Sequence, residues 1–440
     1  MTLTPDQQTD LKHFYNQLEY FPLEPDDPRY VPFLEQGSDY DPIESLWARI
    51  VTSEAASVNL LSGQRGSGKS TELRRLRKKL IDEGCVVLLC DMQNHLNLTQ
   101  PLEISDFMIS LMVAFNLELK AIYGQDCTRR SYWDRLIEFL SQEVQIKDLK
   151  LEGELAEPEL LGGKFKVGIG AALRDDPSFK TRLQEHLRGH VVELIRQAHG
   201  FAAEAVQSIR QRDGDRDRKV VLLVDSMEQI RGVGTEAHKV HESVENLFAA
   251  HADMLRIPLL HVVYTIPPYL PPLVPAIGQI LGGNPVCNLP SVHIRDRNGS
   301  PDPVGLTVMR QILEKRHTGY REILLDGQVD RLALSAGGDF RGFFRLVRDC
   351  LIKALTRKTL PVPEAAVIDA ENHLRREMLP LAEDDKDWLR HIAQHQECRL
   401  PNTGQLPRLA RFFDTHLVYN YRNGEDWYDV HPLLRSELGA

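Results

Sequence analysis

The chain has 440 residues, 42% hydrophobic and 26% charged, with 53 Lys and Arg against 63 Asp and Glu for a net charge of −10. That balance fits a soluble intracellular protein and gives no global electrostatic reason to bind nucleic acid, while leaving room for a local patch that does. No apolar run is long enough to cross a bilayer, and six cysteines (Cys85, Cys90, Cys127, Cys287, Cys350, Cys398) form no C-x-x-C pair, so no zinc site or disulfide framework is expected. Nor does "MTLTPDQQTDLKHFYNQ" show the basic-then-apolar pattern of a signal peptide, so a cytoplasmic protein with reduced thiols and no membrane partner is the expectation.

Residues 1 to 45, punctuated by proline in "FPLEPDDPRYVPF", read as a linker that docks on the body. The sheet is expected to begin near Ser57, where Val58, Leu60 and Leu61 lead into "GQRGSGKST". In that stretch Gly63, Gly66, Gly68, Lys69 and Ser70 fill G-x-x-x-x-G-K-[ST], the pattern of a Walker A phosphate loop. Small residues let the backbone N–H groups of Gln64, Arg65, Gly66, Ser67 and their neighbours curl around a phosphate, and a following helix points its positive end at the same anion. Lys69 would span the β- and γ-phosphates of ATP, Ser70 would ligate Mg2+, and Thr71 completes the nucleotide-binding set. Leu73, Leu76 and Leu80 recur at helical spacing until Gly84.

"CVVLLCDM" reads as a second buried strand, and Leu102, Phe107, Leu111 and Phe115 as a helix. Between 145 and 175, alternating Phe165, Val167, Ile169 and Ala171 predict an amphipathic strand of an inserted hairpin. Asp176 and Pro177 suit the cap and first turn of one long helix reaching about Arg210, and "RQRDGDRDRK" reads as a solvated loop. "VVLLVDSMEQI" has the form of a central strand delivering Asp225 to the sheet edge as a magnesium ligand. Glu228 either orients the attacking water or caps the helix after it. Thr265, at the end of "LLHVVYTIPPYL", is either a γ-phosphate sensor or a buried threonine bonding to backbone. No Lys or Arg lies between Ile257 and Ile294, where an arginine finger of a ring motor is expected, although Arg295 and Arg297 lie close beyond and could substitute.

Residues 304 to 378 read as mostly helical. Within them "SAGGDFRGF" places Arg341 at the start of a lid helix, to face phosphates or to join a surface ion pair. From about Leu381, "DWLRHIAQH" and "LPRLARFFDT" read as helices, and "HLVYNYRNGEDWYDVHPLL" as a hairpin turning at Asn423-Gly424. Residues 382 to 440 hold seven Lys and Arg against ten Asp and Glu, with Arg408 and Arg411 alone on the second helix, which is little for phosphate contacts.

In order, the loop, the strand ending in Asp225 with a spaced acid, Thr265, Arg341 and the helix–helix–hairpin end resemble the STAND class of AAA-like P-loop ATPases. The resemblance implies an α/β P-loop NTPase: a linker (1–45), a parallel-sheet domain with helices on both faces (46–300, insertion near 145–210), a helical lid (301–380) and a winged helix (381–440). It implies a slow magnesium- and ATP-dependent switch with Lys69, Glu228 and Arg341 at the chemistry. It also implies homo-oligomerisation on activation and a separate effector or sensor protein, in the setting of prokaryotic antiviral defence or signalling. In the plant and animal members a histidine near the end of the winged helix contacts the ADP β-phosphate. "DVHPLL" offers His431 for that role, with Pro432 in place of the usual acid, and a plain structural histidine is the competing reading. The rival for the whole chain is a DNA-associated AAA+ ATPase, a loader or a regulator of transposition or replication.

Overall fold

The computed structural model describes residues 3–35, 40–124, 171–232, 237–398 and 405–439. In chain order its principal elements are α1 (Pro5–Gln17), α2 (Pro42–Thr52), β1 (Val58–Gly63), α3 (Lys69–Asp82), β2 (Val86–Asp91), α4 (Ile104–Tyr123), α5 (Pro177–Leu187), α6 (Val191–Asp213), β3 (Val220–Asp225), α7 (Ala237–Glu245), β4 (Leu260–Ile266) and β5 (Cys287–Leu289). There follow α8 (Pro303–Arg316), α9 (Asp326–Ser335), α10 (Phe340–Arg357), α11 (Glu364–Glu377), α12 (Glu383–His395), α13 (Leu406–Asp414), β6 (Val418–Asn423) and β7 (Glu425–Val430). They fall into two compact units, one of Ile43–Ser62 with Leu76–Cys287, the other of Met1–Pro42, Gly63–Arg75 and Asn288–Ala440.

The first unit is built on a five-stranded sheet of order β2-β3-β4-β1-β5, in which β1 to β4 are parallel. Its central strands are uninterrupted apolar runs because helices cover a parallel sheet on its faces: every residue of β3 and β4 is buried. Helix α4 packs along β2, and α6 packs on both α4 and β4. With the phosphate-loop sequence leaving β1, this is the α/β P-loop fold. Among the described residues no helix is long and apolar enough to cross a membrane.

Two expectations change here. The single helix from Asp176 is two, α5 and α6. Asp176 does cap α5, its carboxylate accepting from the N–H groups of Ser178 and Phe179, but the helix breaks over 188–190, where Gly189 costs about 1 kcal/mol relative to alanine. Helix α6 then continues to Asp213, so only the second half of "RQRDGDRDRK" is loop, after Gly214 turns the chain with φ +68°. The alternating strand expected at 145–175 lies mostly outside the described residues. Its last position, Ala171, is helical, since "AALRD" is made of helix formers running up to the Asp176 cap.

The second unit holds the phosphate loop, the N-terminal segment and everything from Asn288 on. Helices α8 to α11 form a layered cluster, with α10 packed against α9, α11 and α1. The terminal part is α12, α13 and the antiparallel hairpin β6–β7, which turns at Gly424 (φ +75°) with Asn423 opposite Glu425. An ordinary side chain adopts that left-handed φ only with strain, which is why a glycine marks the turn.

Candidate functional site

The loop between β1 and α3 is shaped as a phosphate cradle. Gly66 and Gly68 take φ of +88° and +93°, and a side chain on Gly63 would meet the Leu289 carbonyl oxygen at 2.7 Å, so three of its glycines are required by backbone shape or space. Lys69 is buried, 3% exposed, its Nζ donating to the carbonyls of Gly63 at 2.9 Å and Gln64 at 2.7 Å. Ser67 Oγ is buried without a hydrogen-bond partner among the described residues. A buried ammonium, an unsatisfied hydroxyl and a glycine-shaped turn at a helix N-terminus fit the phosphates of a nucleotide. Ser70 is half-buried beside Lys69.

The N-terminal segment is tied to this loop and its helix. The Leu23 N–H donates to Thr71 Oγ1 at 3.1 Å, and the Tyr30 hydroxyl donates to Glu72 at 3.1 Å. Glu72 also receives Arg75, which bridges to Asp41. Burial pushes the Glu72 carboxyl up to about 6 against the opposing pull of Arg75 and Tyr30. The proline-punctuated sequence of residues 1–45 suggests a linker that docks on the body but not where it docks, because the partners of these bonds to Thr71 and Glu72 lie some forty residues apart and leave no local signature.

The lid reaches the same loop through the start of α10. Arg341 is half-buried, and a Cβ on Gly66 would lie 2.9 Å from that of Arg341, so the stem of the arginine is against the loop. Its carbonyl accepts from the Tyr20 hydroxyl at 3.2 Å. The turn before it, Gly337-Gly338, has φ of +67° and +76° and is held by the terminal hairpin: the Tyr421 hydroxyl donates to the Gly337 carbonyl at 2.8 Å. Phe413, at the end of α13, accepts at its carbonyl from Gln64 Nε2 of the phosphate loop at 2.8 Å. Loop, lid arginine and terminal module are thus in direct contact.

Two histidines of that module differ in surroundings. His431 is 2% exposed, its Nδ1 accepts from the Leu433 N–H at 3.2 Å, and its ring packs beside Tyr419 at 5.5 Å. Burial alone pulls its imidazole down to about 3. His416 has a left-handed φ of +58° and an Nδ1 with no hydrogen-bond partner among the described residues. It too is lowered to about 3, by burial first and then by the electrostatic influence of Arg341, Arg65, His431 and Lys69. The "DVHPLL" pattern points to His431; His416 has no motif around it and is visible only in the folded chain.

In the sheet unit the second set of expected residues gathers at the carboxyl edge. Because β3, β4 and β1 are parallel neighbours in register, Asp225, Ile266 and Ser62 end at one edge, the one from which the phosphate loop departs. Asp225 is buried and bonds to the Ser226 N–H at 2.7 Å, with Asp91 of β2 opposite in register. Ser226 takes φ +70° and starts a single 3-10 turn, Met227–Gln229, which places Glu228 in a buried position. Thr265 Oγ1 accepts from the Met227 N–H at 3.0 Å, so its hydroxyl anchors the turn that carries Glu228. Among the described residues no group of three or more His, Cys, Asp or Glu could hold a metal ion.

The two arginines of the terminal module's second helix, Arg408 and Arg411 of α13, both bond to Asp385 of α12, a carboxylate that is itself buried.

No protein-family model matches the chain, and no curated protein matches it. Solved structures similar to it include Drosophila ORC bound to DNA, at 13% identity over 98% of this chain and 91% of that one with a TM-score of 0.40. Another is the Aeropyrum pernix ORC2 protein in its ADPNP–ADP complexes, at 11% identity over 96% and 95% with a TM-score of 0.38. A third is the A. pernix ORC1 protein in complex with DNA, at 14% identity over 97% of each chain with a TM-score of 0.36. At these identities and TM-scores no activity, ligand or partner is carried over from them.

Proposed function

We propose that the chain is a magnesium-dependent P-loop ATPase whose nucleotide state sets the position of its lid and terminal module. The observation that carries this reading is the join of three parts at one loop: the Gln64 side chain on the Phe413 carbonyl, the Arg341 stem against Gly66, and Tyr421 holding the turn that aims Arg341. A phosphate that reshapes the loop acts on all three, and contacts made in only one state shift the balance between states. Lys69 and the loop N–H groups would bind phosphate, Ser70 and Asp225 are the proposed metal ligands, Glu228 the proposed water-orienting acid, and Thr265 and Arg341 the proposed sensors. This is the arrangement of a STAND-like switch, and oligomerisation and a separate effector protein belong to the same proposal.

The histidine proposed to read the phosphate is His416, because it lies among the loop and lid cations with a ring nitrogen to spare, while His431 already spends its Nδ1 on Leu433. Expected are a roughly tenfold faster ADP release from His416→Ala with little change in melting temperature, and the converse from His431→Ala, a lower melting temperature with ADP release unchanged. Stopped-flow release of labelled ADP separates them. Faster release from His431→Ala alone would return the role to His431.

The second reading, a DNA-associated AAA+ ATPase, is suggested by the helix–helix–hairpin module, which resembles a winged helix; two of the structures named above are described with DNA. Against it, Arg408 and Arg411 are committed to Asp385, and Arg422 of the hairpin is paired with Asp426 and stacked over Tyr40 at 3.9 Å. Phosphate contacts dominate DNA affinity, and arginines already paired within the module do not supply them. Turnover and a gel shift with duplex DNA at about 150 mM salt decide: the switch predicts no tight complex and unchanged turnover, while salt-sensitive binding with stimulated turnover establishes the DNA-associated reading.

A further inference from the structure

We infer that Asp339 is a charge gate on the phosphate loop: its carboxyl, pressed against Gly66 from the lid, sets how many negative charges the loop accepts and so disfavours a nucleoside triphosphate relative to a diphosphate. The inference rests on the phosphate-loop reading and adds a residue which that reading does not use.

Asp339 precedes α10, and its two oxygens have separate surroundings. Oδ2 accepts from the Gly342 N–H at 2.6 Å and caps the helix. Oδ1 is buried with no hydrogen-bond partner among the described residues and points at the loop, where a Cβ on Gly66 would lie 2.4 Å from it. The side chain is 1% exposed. An N-cap requires one oxygen. The second, left unsatisfied against the glycine turn that receives phosphate, is a fixed acceptor with nothing to accept, a costly arrangement for a carboxylate and a cheap one for a carboxylic acid. Burial accordingly pushes the carboxyl up to about 6, opposed by the Gly342 N–H and then by Arg341, Lys69 and Arg345. The titratable groups facing it are those cations, from α10 and the phosphate loop, with Tyr20 of the N-terminal segment and Tyr419 and Tyr421 of the hairpin.

A phosphate chain at the loop and an ionised Asp339 repel each other, and each further charge on the nucleotide raises the repulsion. Binding of nucleotide therefore draws a proton onto Asp339. Atoms and charges balance by one proton taken from solvent, which adds an O–H bond at the carboxyl.

The sign of the stability effect is set by the direction of the shift. A carboxyl raised from 3.8 to about 6 contributes stability that is complete below about 3.8 and is lost as pH rises through 6.

The test is Asp339→Asn, which keeps an oxygen for the cap and removes the charge. ADP and ATP binding to both proteins is measured by calorimetry at pH 5.5 and 7.5 in buffers of different ionisation enthalpy, and melting without nucleotide is followed over the same range. Expected are convergent ATP affinities at pH 5.5, at least tenfold tighter ATP binding by the variant at pH 7.5, a smaller gain for ADP, and proton uptake on binding by the parent alone. Without nucleotide, the parent should lose melting temperature relative to the variant as pH rises through 6. Parallel affinity curves, or weaker binding by the variant at both pH values, would reduce Asp339 to a helix cap and overturn the gate. Should neither protein bind nucleotide at any pH while the melting curves still diverge, the phosphate-loop reading fails and the gate with it; parallel melting curves in proteins that do bind would fail the gate alone.

Discussion

Lys69→Ala is expected to lower ATP affinity at least about 100-fold, roughly 3 kcal/mol, because a charge-assisted hydrogen bond to a buried phosphate is worth about 1.5–3 kcal/mol and Lys69 is poised to make more than one. The side chain is buried and its ammonium already bonds to the Gly63 and Gln64 carbonyls, so it is held in the loop before any ligand arrives. Its loss also leaves those carbonyls without their donor and loosens the turn. Lys69→Met, which keeps the apolar stem, separates the two effects: equal losses in both variants assign the effect to charge. Calorimetric affinities within about threefold of the parent for Lys69→Met would show that phosphate binds elsewhere.

The second large effect is expected at Glu228→Gln, where turnover should fall about 100- to 10,000-fold with nucleotide affinity nearly unchanged, the pattern of a group that acts on water near the transition state. Glu228 is buried on a one-turn 3-10 segment immediately after Asp225, and that segment is pinned by the Met227 N–H on Thr265. A carboxylate so placed has little freedom, which is what positioning a water demands. Single-turnover measurement of phosphate release is the readout. Turnover equal to the parent's would take Glu228 out of the chemistry and leave it as a buried residue of the turn.

Much of the sheet was legible because the signals are local. "VVLLVD" and "HVVYTI" are continuous apolar runs, and continuous burial is what a central parallel strand imposes on consecutive residues. The loop glycines were legible for a similar reason: positive φ at Gly66 and Gly68 is a property of single positions, and only glycine adopts it without strain. Asn423-Gly424 between alternating residues marked the hairpin by the same logic.

The tertiary structure decided what depends on partners far along the chain. Whether Arg408 and Arg411 face solvent or an acid rested on Asp385, more than twenty residues earlier, and no pattern in α13 shows that pairing. Which histidine keeps a spare nitrogen among cations rested on where the loop, the lid and the hairpin meet: "DVHPLL" drew attention to His431, while His416 acquires its neighbours only through folding. Asp339 carries no signal of its own in the sequence, and its second oxygen becomes significant only because Gly66, more than two hundred residues away, closes against it. Backbone shape and strand burial are written residue by residue and can be read there, whereas the charge state and hydrogen-bond satisfaction of a buried side chain are set by whatever the fold packs around it.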